Sequence, residues 1–335
     1  MVSNIESVFS KSAQGMKRSA IREILKLTQR PEVISFAGGL PAPETFPVEE
    51  MKEIACEVLK EEGIAALQYG TTEGDEKLRN LLIDRYKKEG AKLELENLII
   101  ITSSQQGLNL VGKIFLDPGD KVICGLPSYL GGISAFKTYG AELMGIKFDE
   151  SGMRADVLEE KLAALKAKGE KPKFIYIIPD FQNPAGITMP EKRRLEIIDL
   201  AHKYDVLIVE DSPYREIRFE GKHQRTMYQL DNSGHVLTLG TFSKIFAPGF
   251  RLGWAMGHKD VLDKIIMAKQ TADLCTSCFL QKIAAKYIEK GYFETNLKKT
   301  IAMYHEKRDV MLKVLENTCQ KVFHGLNLRV DFSCF

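Results

Sequence analysis

The regular alternation of two apolar patterns along residues 48–290 constrains the fold of this chain more than any other feature. One pattern repeats every three to four residues, as in an amphipathic helix. The other consists of runs of four or five residues, rich in Val, Ile and Leu and bounded by turn residues, which fit strands covered on both faces. This alternation indicates an α/β domain with a mostly parallel sheet.

The two patterns give a first set of boundaries. Helices are predicted over 48–62, 75–88, 105–115, 155–168, 190–204 and 259–289. Strands are predicted over 98–101, 121–124, 142–146, 174–178, 206–209 and 236–239. Ligands of such sheets bind beyond the carboxyl ends of the strands. Polar residues that directly follow a strand are therefore the candidates for a functional site.

Charge and composition exclude several classes of function. The 335 residues carry a formal net charge of +2, which gives no electrostatic reason to expect nucleic acid or an anionic membrane as partner. No apolar run approaches the roughly 18 residues of a membrane span, and the N-terminus lacks the apolar core of a secretory signal. We expect a cytoplasmic protein. Cys275 and Cys278 form a CxxC pair without a second Cys or His pair, so we expect no metal site.

The first strand with a polar continuation is 98–101, which is followed by Thr102-Ser-Ser-Gln-Gln-Gly107 and an apolar helix. Small hydroxyl residues at a helix N-terminus supply hydrogen-bond donors, and the helix dipole adds partial positive charge. A phosphate suits such a position. Taken alone, the motif is more simply read as an ordinary helix cap.

Two further motifs follow later strands. Asn183-Pro184, after strand 174–178, is a turn signal whose amide can also face a ligand. Asp211 and Tyr214 lie at and after the end of strand 206–209, next to Glu210. A carboxylate at the end of a buried strand is costly unless it is paired. Either a pyridinium nitrogen or a plain salt bridge would meet that need.

The last strand leads into the most informative residues. Lys244 stands among Phe242, Ile245 and Phe246, and Arg251 follows seven residues later. A lysine desolvated by apolar neighbours has a lowered pKa and can act as an amine nucleophile. A surface lysine in a loop is a poor alternative in this setting. Arg251 can grip a phosphate with its planar guanidinium.

A lysine, a carboxylate for a ring nitrogen and donors for a phosphate are together what pyridoxal 5'-phosphate (PLP) requires. Residues 19–313 resemble the class I aminotransferases of PLP fold type I, in particular the 2-aminoadipate and kynurenine-type branch. The motifs that carry the resemblance are Asn183-Pro-x-Gly186, Asp211-x-x-Tyr214, Ser243-Lys244 and Arg251, in that order. The resemblance implies an aspartate-aminotransferase-like fold with an N-terminal arm (1–47), a large PLP-binding domain (48–290) and an incomplete small domain (291–335).

The resemblance also implies roles for the residues around the cofactor ring. Lys244 would bond to PLP and move a proton between the substrate α-carbon and the cofactor. Asp211 would pair with the ring nitrogen, Asn183 and Tyr214 would hydrogen-bond the phenolic oxygen, and Tyr129 would stack on the ring. The residues expected at the phosphate are Ser104, Gln105, Thr241, Ser243 and Arg251, with Tyr69 reaching it from the other subunit of a homodimer.

On the substrate side the resemblance is less specific. Arg22 would meet a distal carboxylate, although it could equally lie on an ordinary solvated helix face. Gly39, with Asn183, would lie where the substrate carboxylate docks. The implied reaction is a ping-pong transfer in which an amino acid (2-aminoadipate, aromatic, branched-chain or similar) gives its amino group through PLP to a 2-oxo acid, with 2-oxoglutarate as the expected acceptor.

The family pattern normally continues beyond the length of this chain. Its later part carries an arginine for the substrate α-carboxylate, and Arg329 is the candidate here because 326–333 resembles the strand that holds it. Either an internal deletion or a frameshifted tail would place it this early. The alternatives to a working aminotransferase are a PLP-binding relative without turnover and another fold type I PLP enzyme. A transcriptional regulator is disfavoured because only about 18 residues precede the matching region.

Overall fold

A mixed eight-stranded sheet organises the computed structural model, which describes residues 5–16, 32–33, 39–231 and 233–318. The strands are β1 Leu98–Ile101, β2 Lys121–Leu126, β3 Glu142–Asp149, β4 Gly152–Met153, β5 Phe174–Ile177, β6 Leu207–Asp211, β7 Val236–Thr241 and β8 Gly253–Met256. Their order across the sheet is β1-β8-β7-β6-β5-β2-β3-β4.

Strand direction places most carboxyl ends at one edge of this sheet. The neighbours from β7 through β6, β5 and β2 to β3 are all parallel. Strand β8 runs antiparallel to both β1 and β7, so β1 points the same way as β7. The ends of β1, β2, β5, β6 and β7 therefore share an edge with the beginning of β8. The predicted α/β class with a mostly parallel sheet is confirmed.

The helices of the described residues cover the sheet and extend beyond it. They are α1 Lys11–Gly15, α2 Val48–Leu67, α3 Glu76–Lys88, α4 Ser103–Phe115, α5 Leu130–Thr138, α6 Ala155–Ala167, α7 Glu191–Tyr204, α8 Met227–Leu230, α9 Lys259–Gln270, α10 Cys278–Glu289 and α11 Tyr292–Thr318.

Alternate residues of each central strand enter different cores. In β5, Phe174 and Tyr176 join the core formed with α4 and α9, whereas Ile175 and Ile177 join the core formed with α6 and α7. Side chains of a strand point alternately to its two faces, and both faces here are covered. This explains why the strands appear in the sequence as continuous apolar runs without polar alternation. A third core joins α2, α3 and α10 to β1 and β8.

The predicted helix over 259–289 is wrong in its middle. The chain forms two helices, α9 and α10, separated by residues 271–277, in which Leu274 has a left-handed φ of 62°. The Ser277 hydroxyl accepts a hydrogen bond from Leu280 N, as an N-cap does. The apolar periodicity continues across this break, and for that reason the pattern did not reveal it. Strands β4 and β8 and helices α1, α5, α8 and α11 were not predicted either.

The segment just before α2 is attached to α11. Tyr304 accepts a hydrogen bond from Ala42 N at 2.9 Å, and Asn296 Nδ2 donates to Thr45 O at 3.0 Å. The division into an arm, a large domain and a small domain stays a prediction. Arg22 and Arg329 lie outside the described residues. Within the described ranges, no helix has the length and apolar character needed to span a membrane.

Candidate active site

The polar motifs singled out in the sequence meet at the edge of the sheet where the parallel strands end. Each follows or closes a different strand, in the order β1, β2, β5, β6 and β7: Thr102–Gln105, Tyr129, Asn183, Asp211 and Thr241–Lys244. Arg251 comes just before β8, whose first residue, Gly253, pairs with both Ile101 and Thr241. The sheet topology thus gathers residues that are far apart in the chain.

Lys244 is held in a mostly apolar environment at this edge. Phe242, Ile245 and Phe246 around it are buried, and its ammonium group donates to the carbonyl of Gly39 at 2.9 Å. Burial, together with the positive charge of Arg251, lowers the pKa of Lys244 to about 8. A lysine with this pKa provides a usable fraction of neutral amine near neutral pH, as a carbonyl-attacking nucleophile requires.

Asp211 is the buried carboxylate at the end of β6. One oxygen, Oδ2, accepts the hydroxyl proton of Tyr176 at 2.9 Å, while Oδ1 has no hydrogen-bond partner among the described residues. Burial raises the pKa of the Asp211 carboxyl to about 7; the hydrogen bond from Tyr176 lowers it and the nearby Glu210 raises it. A buried acceptor without a partner fits a ligand that brings its own N–H donor, and the pyridinium nitrogen of PLP is such a donor.

Asn183 and Tyr214 are joined at the same edge. The Asn183 side-chain amide donates to the Tyr214 hydroxyl at 3.2 Å, and Tyr214 is 8% exposed. They come from the loops after β5 and β6, which are neighbouring strands. Two donor groups placed side by side suit an anionic oxygen on a ligand, as the proposed contact with the phenolic oxygen of PLP requires.

The predicted phosphate residues gather around the start of α4. Thr241 Oγ1 donates to Ser243 Oγ at 3.0 Å, and Arg251 Nη1 lies 3.4 Å from the same Ser243 oxygen. Ser103, which was not among the predicted site residues, places its hydroxyl 3.4 Å from both Thr241 Oγ1 and Ser243 Oγ. Three consecutive hydroxyl residues, Thr102 to Ser104, stand here in the sequence, with no signal of which would contact β7.

The beginning of α4 approaches the sheet closely because residue 253 is glycine. A Cβ at Gly253 would lie 2.6 Å from the carbonyl oxygen of Gly240 and 3.0 Å from the backbone of Ser103. Since α4 begins at Ser103, the N–H groups of Ser104 and Gln105 belong to its first turn, whose amides have no acceptor within the helix. Free amides, the helix dipole, hydroxyls and a guanidinium together form an anion site of the kind that holds a phosphate.

Tyr129 and Gln105 contact each other across the site. The Tyr129 hydroxyl donates to Gln105 Oε1 at 3.3 Å, and Gln105 Nε2 donates to Gly131 O at 3.2 Å. The Gln105 side chain is therefore engaged with the loop that carries the aromatic ring. This arrangement supports a ring-positioning contribution of Gln105 in addition to its predicted place at the phosphate.

Tyr69 is placed differently from the other predicted residues. Its side chain is 77% exposed, in the segment after α2, and its backbone N–H is bonded to the side chain of the preceding Gln68. A side chain that projects from the surface of one subunit is compatible with the predicted reach into another subunit. Its role at the phosphate stays a prediction.

Two supporting networks behind the site were not anticipated from the sequence. In the first, Asp273 accepts from Thr102 Oγ1 at 2.8 Å and from Gln106 Nε2 at 2.6 Å. The ammonium group of the fully buried Lys269 donates to the other oxygen of Asp273 at 2.6 Å. The loop between α9 and α10 thereby fixes the start of α4.

The second network joins the Asn183 loop to the Tyr214 loop. Asp180 is fully buried, and its Oδ1 accepts from Arg194 and from Arg218, each at 2.9 Å. Arg218 also lies over the ring of Phe181, 4.5 Å from the ring centroid. The ion pairs connect residues close to Asn183 with residues close to Tyr214, so they support the pair of donors described above.

Comparison with known proteins agrees with this site. The profile of the family described as Aminotransferase class I and II matches residues 31–331. Aromatic-amino-acid aminotransferase 1 of Thermococcus litoralis is 49% identical over 313 residues, covering 93% of this chain and 75% of that protein. The 2-aminoadipate transaminase of Thermus thermophilus is 40% identical, covering 93% of this chain and 77% of that protein.

Solved structures give the same result. Kynurenine aminotransferase of Pyrococcus horikoshii, in a complex that contains PMP, has a TM-score of 0.89 at 44% identity and covers 94% of this chain and 78% of that one. LysN of Thermus thermophilus, an α-aminoadipate aminotransferase complexed with N-(5'-phosphopyridoxyl)-L-leucine, has a TM-score of 0.85 at 38% identity, with 93% and 77% covered. The unpaired Asp211 oxygen, the desolvated lysine and the anion site fit PLP. The chain belongs to the class I and II aminotransferases, a family of PLP-dependent enzymes with the fold type I architecture that the sequence predicted.

Proposed function

We propose that this chain catalyses transfer of an amino group from an amino acid to 2-oxoglutarate with PLP as cofactor. The observation that carries the proposal is the combination of Lys244, whose pKa is lowered to about 8, with the partnerless oxygen of the buried Asp211 at the same sheet edge. The desolvated amine of Lys244 can act as a nucleophile, and Asp211 Oδ1 can accept a hydrogen bond from a ligand.

The residues of the chain divide the work of the reaction. When bound, PLP supplies an electron sink for the electron pair released at the substrate α-carbon. Lys244 Nζ takes the α-proton as a general base and returns it as a general acid. Asp211 Oδ1 would accept the ring N–H, and Asn183 and Tyr214 would donate to the phenolic oxygen.

Substrate assignment rests on the relatives. Those described above act, by their names, on aromatic amino acids, 2-aminoadipate or kynurenine, and we propose a donor of this range for the present chain. Gly39 supports a substrate-side position because its carbonyl contacts the Lys244 amino group. Two further contacts are proposed from the sequence motifs alone. Arg22 would bind a distal carboxylate of the substrate, and Arg329 would bind its α-carboxylate.

We also propose a homodimer in which Tyr69 of one subunit completes the phosphate site of the other. The Tyr69 side chain is 77% exposed in the isolated subunit, which supports this arrangement. Analytical ultracentrifugation tests for the dimer. Mixing K244A and Tyr69→Phe subunits tests the shared site, because only a shared site restores one intact active site per mixed dimer. The cytoplasmic location expected from the sequence stays a proposal as well.

The proposed reaction is tested by loading the chain with PLP, removing excess cofactor and following its visible absorption. Addition of 2-aminoadipate, tyrosine or kynurenine should convert the PLP spectrum to that of the pyridoxamine form, and 2-oxoglutarate should restore it. Lys244→Ala should abolish both changes. A bound-PLP spectrum that ignores every amino acid would identify a cofactor-binding protein without transamination. A lyase or decarboxylase would release products without accumulating the pyridoxamine form.

A further inference from the structure

Tyr176 is a deeply buried polar side chain in contact with the candidate active site. It lies in β5, one strand away from Asp211, and is 1% exposed. Its hydroxyl donates to Asp211 Oδ2 at 2.9 Å. Burial beside the Asp211 carboxylate raises the pKa of Tyr176 well above its ordinary value of 10, so the proton of this hydrogen bond belongs to the tyrosine. The bond therefore has a fixed direction.

The orientation of the Tyr176 ring is set by its neighbours. Phe136 packs edge-on against it, with ring centroids 5.3 Å apart. Gly132 lies so close that a Cβ at this position would be 2.8 Å from the Tyr176 Cζ and hydroxyl oxygen. Since that contact distance is shorter than real Cβ atoms show, the tyrosine occupies the space a larger residue at position 132 would need. The hydroxyl is consequently aimed at one oxygen of Asp211.

Within the part of the chain that the structure describes, no cation is paired with Asp211. None of the ion pairs among the described residues involves Asp211, and Glu210 next to it in β6 adds a negative charge. Glu210 is itself occupied by the hydroxyl of Thr238 at 2.6 Å and by Met227 N at 3.0 Å. The other titratable groups that act on the Tyr176 and Asp211 pair are the hydroxyls of Tyr129 and Tyr214. Tyr176 is thus the donor that favours the ionised carboxylate.

We propose that Tyr176 is a positioning residue that keeps Asp211 ionised and turns its carboxylate so that Oδ1 accepts the N–H of the PLP ring. The inference rests on the proposed function, because it assigns the ring nitrogen to Asp211. Two consequences follow. With Oδ2 engaged by Tyr176, Oδ1 is the carboxylate oxygen that has no partner among the described residues and can meet a ligand donor. Without Tyr176, burial and Glu210 would favour the protonated carboxyl, which would take the shared proton away from the ring nitrogen.

The test uses PLP labelled with ¹⁵N at the ring nitrogen, bound to the wild-type chain and to Tyr176→Phe. The ¹⁵N resonance separates a pyridinium from an unprotonated pyridine. We expect a pyridinium in the wild type and a shift toward the unprotonated form in Y176F near neutral pH. We also expect the dissociation constant for PLP to rise about tenfold, since hydrogen bonds to charged groups contribute on that scale.

A matched control separates this effect from the loss of any buried hydroxyl. Tyr86 is 7% exposed and accepts a hydrogen bond from Trp254 Nε1 at 3.2 Å, so Tyr86→Phe removes a comparable buried bond away from Asp211. Y86F should lower the melting temperature without moving the ¹⁵N resonance. In the Asp211→Asn background, Y176F should change neither the resonance nor the PLP affinity further.

Two results would overturn the inference. One is a Y176F resonance equal to that of the wild type together with a PLP affinity equal to that of Y86F. The other is an undiminished effect of Y176F in the D211N background, since no carboxylate is then present to be held. If Y176F does not fold, Gly132→Ala takes its place, because a Cβ at position 132 would displace the Tyr176 ring. The ¹⁵N resonance and PLP affinity of G132A are then compared with and without D211N. Failure of the proposed function is distinguishable, because the PLP-loaded wild type would then give no pyridoxamine form with any amino acid, whereas the ¹⁵N comparison requires only bound PLP.

Discussion

The lowered pKa of Lys244 gives a quantitative prediction for cofactor capture. An ordinary lysine has a pKa of 10.5, whereas that of Lys244 is about 8. At pH 7 the neutral amine is therefore roughly one molecule in ten for Lys244, against roughly one in three thousand for an ordinary lysine. At equal intrinsic reactivity, Lys244 should attack a carbonyl about 300 times faster near neutral pH.

The perturbation that tests this reasoning is Arg251→Gln. The positive charge of Arg251 is the second cause, after burial, of the lowered pKa of Lys244. Its removal should raise that pKa and move the pH–rate profile to higher pH. Because Arg251 is also a proposed phosphate ligand, the aldehyde used should be pyridoxal, which has no phosphate. The rate of covalent capture is then read by absorbance after mixing with the cofactor-free chain at a series of pH values.

Borohydride reduction followed by peptide mass spectrometry locates the modified lysine. We expect a wild-type midpoint of the pH–rate profile at about 8, with the label on Lys244. Lys269 serves as a control: because this buried lysine is paired with Asp273, it should carry no label in the wild type, and Lys269→Met should leave the labelling of Lys244 unchanged. A wild-type midpoint near 10.5, or a midpoint that does not move in R251Q, would refute the account of Lys244 given above.

Three further predictions concern stability. Lys244→Met should stabilise the cofactor-free chain at pH 7 by at most about 3 kcal/mol, because the lowered pKa of the lysine disfavours the folded state. This gain in the free energy of unfolding should vanish as the pH rises from about 8 to 10.5, and a pH-independent difference in urea unfolding would contradict the prediction. Asp180→Asn should cost about 3–5 kcal/mol, since two buried guanidinium groups lose their carboxylate, whereas Asp156→Asn at an exposed pair should cost under about 1 kcal/mol. Ser103→Gly should raise the melting temperature, since a φ of 67° costs a serine about 1 kcal/mol or more, and a lower melting temperature would show that its hydroxyl contacts matter more.

The strands of the sheet could be predicted from the sequence because their two buried faces leave a simple pattern. Strand β1 was predicted at its observed bounds, and β2 and β6 differ only by a few residues at their ends. Strand β8 was missed because Gly253 and Trp254 interrupt the pattern, and glycine is required there by a packing contact with Gly240. Such a requirement comes from a residue on another strand and leaves no local signal.

The contrast between local patterns and contacts with distant residues also applies to the site. Lys244, Asp211 and Asn183 could be predicted because they follow strands within a few residues, where local chemistry and position coincide. Tyr176 could not, since a tyrosine inside an apolar run is consistent with plain core packing and its partner lies 35 residues away. The Asp180–Arg218 pair is hidden for a similar reason, as its partners are 38 residues apart. Contacts that support a site from behind are set by tertiary packing.

Strand β8 has a consequence for how the cofactor site responds to motion elsewhere in the molecule. The connection between Lys244 and Arg251 leaves β7 and enters β8, and these two strands are hydrogen-bonded to each other. Both ends of the connection are therefore tethered to the same rigid body. Displacement of a helix packed on the sheet would leave the separation between Lys244 and Arg251 set by the β7–β8 pairing. The reversed strand thus ties the lowered pKa of Lys244 to a charge whose position the sheet itself fixes.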